Sequence, residues 1–447
     1  MHALSPPNRK MGVWAATAVV TGEAISLGIF LTPAGMARSL GSPALLMAVW
    51  CGMAVMTLAG ALCFTELAVR NPVDGGEYVY LRHGFGRQVA FLYGWMAALV
   101  MYPGVAASLC VGSVPYVQSL VGLPAWLAES LPALMLLGLG ALNYFGTGLS
   151  SGVMATLNWL KVTLLVGLGG WAILSGHAAL ANLEPLALRR PGSDPLMAAI
   201  AGAAVAAFYC FGGWWEAGKI AGEVRNPART LPIAFAAGVV IVASLYMLVS
   251  LVFVAVVPMR QIQSNTAFVA QFGASLFGAA GGRVLSACVI LCVLGGLMVL
   301  TMAVPRVTCA LASSESSTGP LAAFARLHPR FGTPANAVLL QTAMALAILS
   351  VGAFDRILAF IIFPAAVFLA LTAATLFRAA PPVRRWWYPF APVAFIAGCA
   401  LLAGMLLAHG LVPSLLGAAL VLCGIPVRRL LAGRKAAPDP QAIAANE

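Results

Sequence analysis

The sequence predicts an all-α integral membrane protein with twelve transmembrane helices. Of its 447 residues, 61% are hydrophobic and only 9% charged, against roughly a quarter charged in a water-soluble domain. Twelve apolar runs, each near the ~20 residues that a bilayer-crossing helix needs, fall at 12–37, 42–68, 88–117, 131–148, 151–176, 195–221, 230–257, 283–312, 336–353, 355–377, 389–408 and 410–431. A third observation divides the chain into halves: the first and sixth runs, five apart, are both interrupted by glycine and both carry a carboxylate.

The first run follows Arg9 and Lys10 and continues from Met11 to about Ala37 with no small-residue cleavage site, so it is expected to stay attached as the first helix. The stretch 258–282 is rich in Gly and shorter in continuous apolar residues, which predicts an external loop with an amphipathic piece. Residues 1–431 then form one transmembrane domain, with a cytoplasmic tail at 432–447.

Charge orients the helices. With the N-terminus in the cytoplasm, eighteen of the 25 Lys and Arg fall in inside segments, among them Arg9, Arg70, Arg82, Lys219, Arg225, Arg378 and Arg428. Six fall outside, at Arg38, Arg189, Arg190, Arg260, Arg283 and Arg356, and Lys161 is left in mid-membrane. The positive-inside rule therefore predicts a multi-pass protein of the cell's inner membrane with both termini cytoplasmic. The +12 net charge is topology and does not call for a nucleic-acid partner.

Composition also narrows the chemistry. The nine cysteines lie almost wholly in apolar runs without a CxxC pair, which reads as packing. The five histidines are scattered, so no metal or cofactor site is expected. No cluster of nucleophile, base and acid stands at a membrane face, so an enzyme is not expected. A channel needs a continuous polar pore, and only two short interrupted segments are polar. A sensor that binds without transporting is a further alternative.

Those segments are 21–28 (TGEAISLG) and 211–216 (FGGWWE). Glycine also serves helix packing in membranes, but a break carrying Glu23 or Glu216 places a costly charge in lipid, which favours function. Interrupted helices at corresponding positions of two halves point to an inverted repeat and its binding site. Helices 1–5 (about 12–176) and 6–10 (about 195–377) are then the repeats, with two helices appended at 389–431.

A broken helix exposes N–H donors at the start of its second half and C=O acceptors at the end of its first. Donors around Ser26, Leu27 and Gly28 suit a carboxylate; acceptors around Gly22, Ala24, Ile25 and Tyr209 to Phe211 suit an ammonium. A zwitterionic amino acid fits that pair of ends, with Gly212 and Gly213 opening the second break; Tyr209, Phe211, Trp214 and Trp215 are available to cover the ligand, although aromatic residues in membrane helices more often face lipid or fill the core. Lys161 lies ten residues into the fifth run, about 15 Å deep at ~1.5 Å per residue. Its ammonium is expected to stand where a bound sodium would sit in cation-driven relatives, contacting the carbonyls of Gly22 and Ile25. Burial would also let it carry a proton.

Glu23 has two open readings: it faces the ligand and favours a cationic amino acid or polyamine, or it pairs with Lys161. Glu216 has Lys219 three residues on, so a local helical pair is expected there. Glu66 closes the second run and reads as interfacial. Residues 287–300 hold no Ser or Thr hydroxyl, which weakens a sodium-coupled reading.

At these residues the chain resembles the amino acid–polyamine–organocation superfamily, especially bacterial transporters similar to the L-type amino acid exchangers. GEAISLGIF at 22–30 with Pro33 is similar to the family's GxxxGSGIF, and PVDGGEYVYLRHGFGRQVAFLYGW at 72–95 to its PxxGGxYxY segment. YCFGGWWEAGKIAGEVRNPARTLP at 209–232 resembles its aromatic-GGW and NPxRxLP run, and 305–334 its PR…HPRxxTP loop. The resemblance implies a leucine-transporter-type fold in which helices 1, 2, 6 and 7 rock against 3, 4, 8 and 9. It implies amino acid transport by alternating access, as an exchanger or coupled to protons, an aromatic gate at Tyr209, and a coupling role for Lys161. It leaves the amino acid and any partner subunit unspecified. Ser26 and Leu27 stand where the family has Gly and Ser, and Glu23 where it has a small, apolar or amide residue.

Overall fold

A computed structural model of the chain describes residues 11–25, 28–73, 75–145, 163, 165–262, 268–315, 320–378 and 387–432. Among them the regular secondary structure is all helix, apart from an isolated bridge between Met11 and Val224. Among the described residues, nine helices are long and apolar enough to cross a membrane, and three more apolar helices are shorter.

The chain runs through α1 (Val13–Ala24), α2 (Gly28–Leu31), α3 (Pro33–Leu40), α4 (Pro43–Arg70), α5 (Glu77–Phe85) and α6 (Arg87–Met96). A π turn, Ala97–Met101, joins α6 to α7 (Tyr102–Val121); Pro103 just beyond it has no N–H to continue a regular ladder. Then come α8 (Ala125–Tyr144), α9 (Leu165–Leu174) and α10 (Leu196–Phe211). A 3₁₀ segment, Trp214–Glu223, leads to α11 (Pro227–Val256), α12 (Phe268–Glu315), α13 (Ala335–Leu349) and α14 (Phe354–Ala374). The chain ends through α15 (Phe390–His409), α16 (Leu411–Leu422) and α17 (Gly424–Ala432).

Where residues are described, helices form in the apolar runs, with instructive differences at their ends; residues 151–162 and 164 of the fifth run lie outside the described residues. The run at 12–37 is three helices, broken after Ala24 and again at Thr32. The fourth begins earlier than expected, at Ala125, directly after extended Pro124. The expected loop at 258–282 holds the amphipathic piece: from Phe268 the chain is helical, turns at Gly278 (φ 69°) and continues to Glu315. Phe268 and Phe272 bury their rings against Phe253, which ties this piece to α11. Glu66, expected at the membrane interface, is buried among the helices and paired with Arg70, one turn before the end of α4.

α11 is the centre of the half that holds the candidate site, packing against both α1 and α4. α10 lies against α2, α3 and α4, while α7 packs on α12, α13 and α14. One end of the bundle gathers Met11, whose carbonyl accepts from Arg225 N at 2.9 Å, together with α5 and the 3₁₀ segment. At the other end, the Arg190 guanidinium donates to the carbonyls of Gly41, Asn182 and Glu184 and so ties the loop after α9 to the end of α3.

Candidate functional site

The two glycine-interrupted segments break as their sequences predict, and they break side by side. α1 stops at Ala24; Ile25 leaves helical geometry (φ −71°, ψ 66°) after its N–H bonds Thr21 O at 2.7 Å. The chain is helical again from Gly28, and bonds from Thr32 N to Gly28 O and from Met36 N to Thr32 O carry the helix on into α3. α10 stops at Phe211, where Gly212 N turns back to Tyr209 O at 3.1 Å. Gly213 then takes φ 99°, a conformation that glycine accepts without strain, and starts the 3₁₀ segment.

Gly28 is the point of contact. A Cβ there would stand 2.8 Å from Cys210 Sγ and 2.9 Å from Cys210 Cα, so only glycine lets the two broken helices approach this closely. Thr32 Oγ1 stands 2.8 Å from the same sulfur and donates to Gly28 O at 3.0 Å, which leaves the thiol as donor to the hydroxyl.

Tyr246 of α11 joins the two ends. Its hydroxyl lies 2.5 Å from Ala24 O and 3.0 Å from Cys210 O, and the side chain is fully buried. One hydroxyl proton serves two carbonyls at helix C-terminal ends, which carry partial negative charge.

The aromatic residues divide. Tyr209 stands at the α1 break: its Cδ1 would be 3.3 Å from a Cβ on Gly28, its hydroxyl is 3.0 Å from Ser108 Oγ, and its ring meets Phe354 edge-on. Phe211 packs against Trp50 and Tyr246 behind the break. Trp214 sits among Phe64, Phe235 and Phe395, and Trp215 lies on Phe208. Gly28, Ile25, Tyr209, Gly212 and Gly213 are thus brought together at the breaks, while the tryptophans fill the core.

Glu216 pairs with Lys219 as the three-residue spacing predicts, at 2.7 Å, and accepts a 3.0 Å bond from the Tyr102 hydroxyl. Ser26, Leu27 and Lys161, and the side chain of Glu23, lie outside the described residues. Sequence reasoning missed Tyr246, Ser108 and Thr32. A lone tyrosine in the middle of the long apolar α11 is a signal, since a hydroxyl at that depth needs a partner.

The profile of a family described as amino acid permease matches residues 11–418. Over 441 residues, 96% of this chain and 98% of the relative, the sequence is 26% identical to the serine/threonine exchanger SteT of Bacillus subtilis (strain 168). It is 27% identical over 271 residues to the b(0,+)-type amino acid transporter 1 of Mus musculus, covering 59% of this chain and 55% of the relative. To the large neutral amino acids transporter small subunit 2 of Rattus norvegicus it is 28% identical over 277 residues, 60% of this chain and 52% of the relative. The match thus spans about half the length of each mammalian relative.

Proposed function

The chain belongs to the amino acid permease family, and on that premise we propose that it is a sodium-independent amino acid transporter that works as an exchanger. The amino acid binds between the breaks of α1 and α10. Its ammonium sits near Ala24 O and Cys210 O, its carboxylate at the N–H groups around Ser26, Leu27 and Gly28, and Tyr209 covers it. The observation that carries this reading is Tyr246, whose single proton is shared by two buried helix-end carbonyls. An ammonium group supplies the donors that such a pair of acceptors lacks.

Twelve membrane helices in two inverted repeats of five, plus two, are the architecture that fits the nine long and three short apolar helices among the described residues. The end carrying Met11, α5 and Lys219 is cytoplasmic on this reading, in the cell's inner membrane. Lys161 takes the place of a sodium ion, in keeping with the lack of hydroxyls at 287–300.

Counterflow in proteoliposomes tests the function. Vesicles loaded with unlabelled L-serine, L-leucine or L-arginine should accumulate the labelled amino acid equally in sodium and in choline medium. Uptake that requires a sodium gradient, or no uptake of any of the three, overturns the reading.

A further inference from the structure

The bundle end that holds Lys219 contains a carboxylic acid that the substrate site does not use. α5 begins on the Gly75–Gly76 turn, and this turn docks on the 3₁₀ segment: Gly75 N donates to Lys219 O at 3.1 Å, and Tyr80 OH to Gly218 O at 3.3 Å. A Cβ on Gly76 would stand 2.7 Å from Lys219 Cγ. In this contact Glu77, in the first turn of α5, is 0% exposed.

The charges around it do not balance. Lys219 is already bound to both oxygens of Glu216, at 2.8 and 2.7 Å, and it also donates to the Tyr102 hydroxyl. The Glu77 oxygens are buried, and the Tyr93 hydroxyl beside them is the neighbouring side-chain donor. The groups that face Glu77 are Glu216 and Lys219 from the 3₁₀ segment and Tyr93 and Tyr102 from α6 and α7. On its own helix Tyr80 turns to Gly218, and at the far end of α5 Arg378 stacks on Phe85 and reaches Gly84 O. Two carboxylates thus share one ammonium. An unpaired buried carboxylate is costly and takes a proton instead.

We propose that Glu77 is a proton-binding site in the contact that closes this end of the transporter, holding its proton while α5 is packed on the 3₁₀ segment and releasing it when they part. The step is Glu77–COOH to Glu77–COO⁻ plus H⁺, the proton passing to water that enters the opened contact. Burial and the negative charge of Glu216 push the Glu77 carboxyl up to about 7, against the pull of Lys219, so the exchange falls near physiological pH. The proposal rests on the transporter reading for its consequence, but not for the protonation itself.

Two readouts test it. In infrared difference spectra of the purified protein, the carbonyl stretch of a buried protonated carboxyl should disappear on titration between about pH 5.5 and 8.5. It should be absent from Glu77→Gln, and in Glu216→Gln its loss should move to lower pH. In L-serine counterflow with equal pH on both sides, the wild-type rate should change at least about threefold across that range, while the Glu77→Gln rate stays flat. A titrating band that persists in Glu77→Gln, or a variant that keeps the wild-type pH dependence, overturns the proposal. If the wild type moves no amino acid at any pH, the transporter reading fails, and the infrared band still decides the protonation of Glu77.

Discussion

Gly28 and Cys210 hold the two broken helices in contact: a methyl group on Gly28 would stand 2.8 Å from the Cys210 sulfur and 2.9 Å from its Cα. The second of these is a backbone atom and cannot rotate away. Gly28→Ala therefore forces α2 and α10 apart, at about 1–3 kcal/mol for an overpacked contact. Thermal unfolding in detergent should show the loss, and L-serine exchange should fall with it. A variant with wild-type stability and rate contradicts the close approach.

Tyr246→Phe keeps the ring between Trp50 and Phe211 but removes the hydroxyl that serves Ala24 O and Cys210 O. Leaving buried acceptors short costs about 1–3 kcal/mol. The melting temperature should drop and KM for the amino acid should change, since the same carbonyls are assigned to the ammonium. An unaltered KM would separate Tyr246 from the binding site.

Lys161→Ala should abolish or strongly slow exchange in liposomes while the protein still elutes as a folded species on size exclusion. Full exchange by this variant discards the coupling role.

Glu23→Gln distinguishes the two readings of that carboxylate. If Glu23 faces the ligand, L-arginine uptake should weaken more than L-serine uptake. An equal effect on both argues for a pair with Lys161.

Glu77 makes stability depend on pH. Its carboxyl holds the proton more tightly in the folded protein, up to about 7, than in the unfolded chain, near 4.5. Its contribution is therefore complete below about pH 4.5 and is lost as the pH rises through about 7. Melting temperatures between about pH 5 and 8 should fall for the wild type and fall less for Glu77→Gln; parallel curves count against the buried acid.

The sequence made much of this legible because the membrane imposes a strong code. Apolar runs of bilayer length marked α4, α10, α11, α14 and α15, and glycine within three residues of a carboxylate marked both breaks. The Glu216–Lys219 pair followed from helical spacing alone. What stayed hidden depends on contacts between segments distant in the chain. The burial of Glu77 shows only once α5 docks on the 3₁₀ segment, and that of Glu66 only once its pair with Arg70 is seen. Tyr246 is 222 residues from the Ala24 carbonyl it binds, a distance that no local pattern bridges. Trp214 and Trp215 have the composition of ligand-covering residues, yet core packing claims them.

The central claim, that an amino acid is held where α1 and α10 break, is tested most directly by equilibrium binding of labelled L-serine to purified protein in sodium-free buffer. The wild type should bind saturably, and Gly28→Val, confirmed as folded by its elution and melting, should bind at least about tenfold more weakly, or about 1.4 kcal/mol. Equal affinity in Gly28→Val, or binding by the wild type only when sodium is added, would contradict the account.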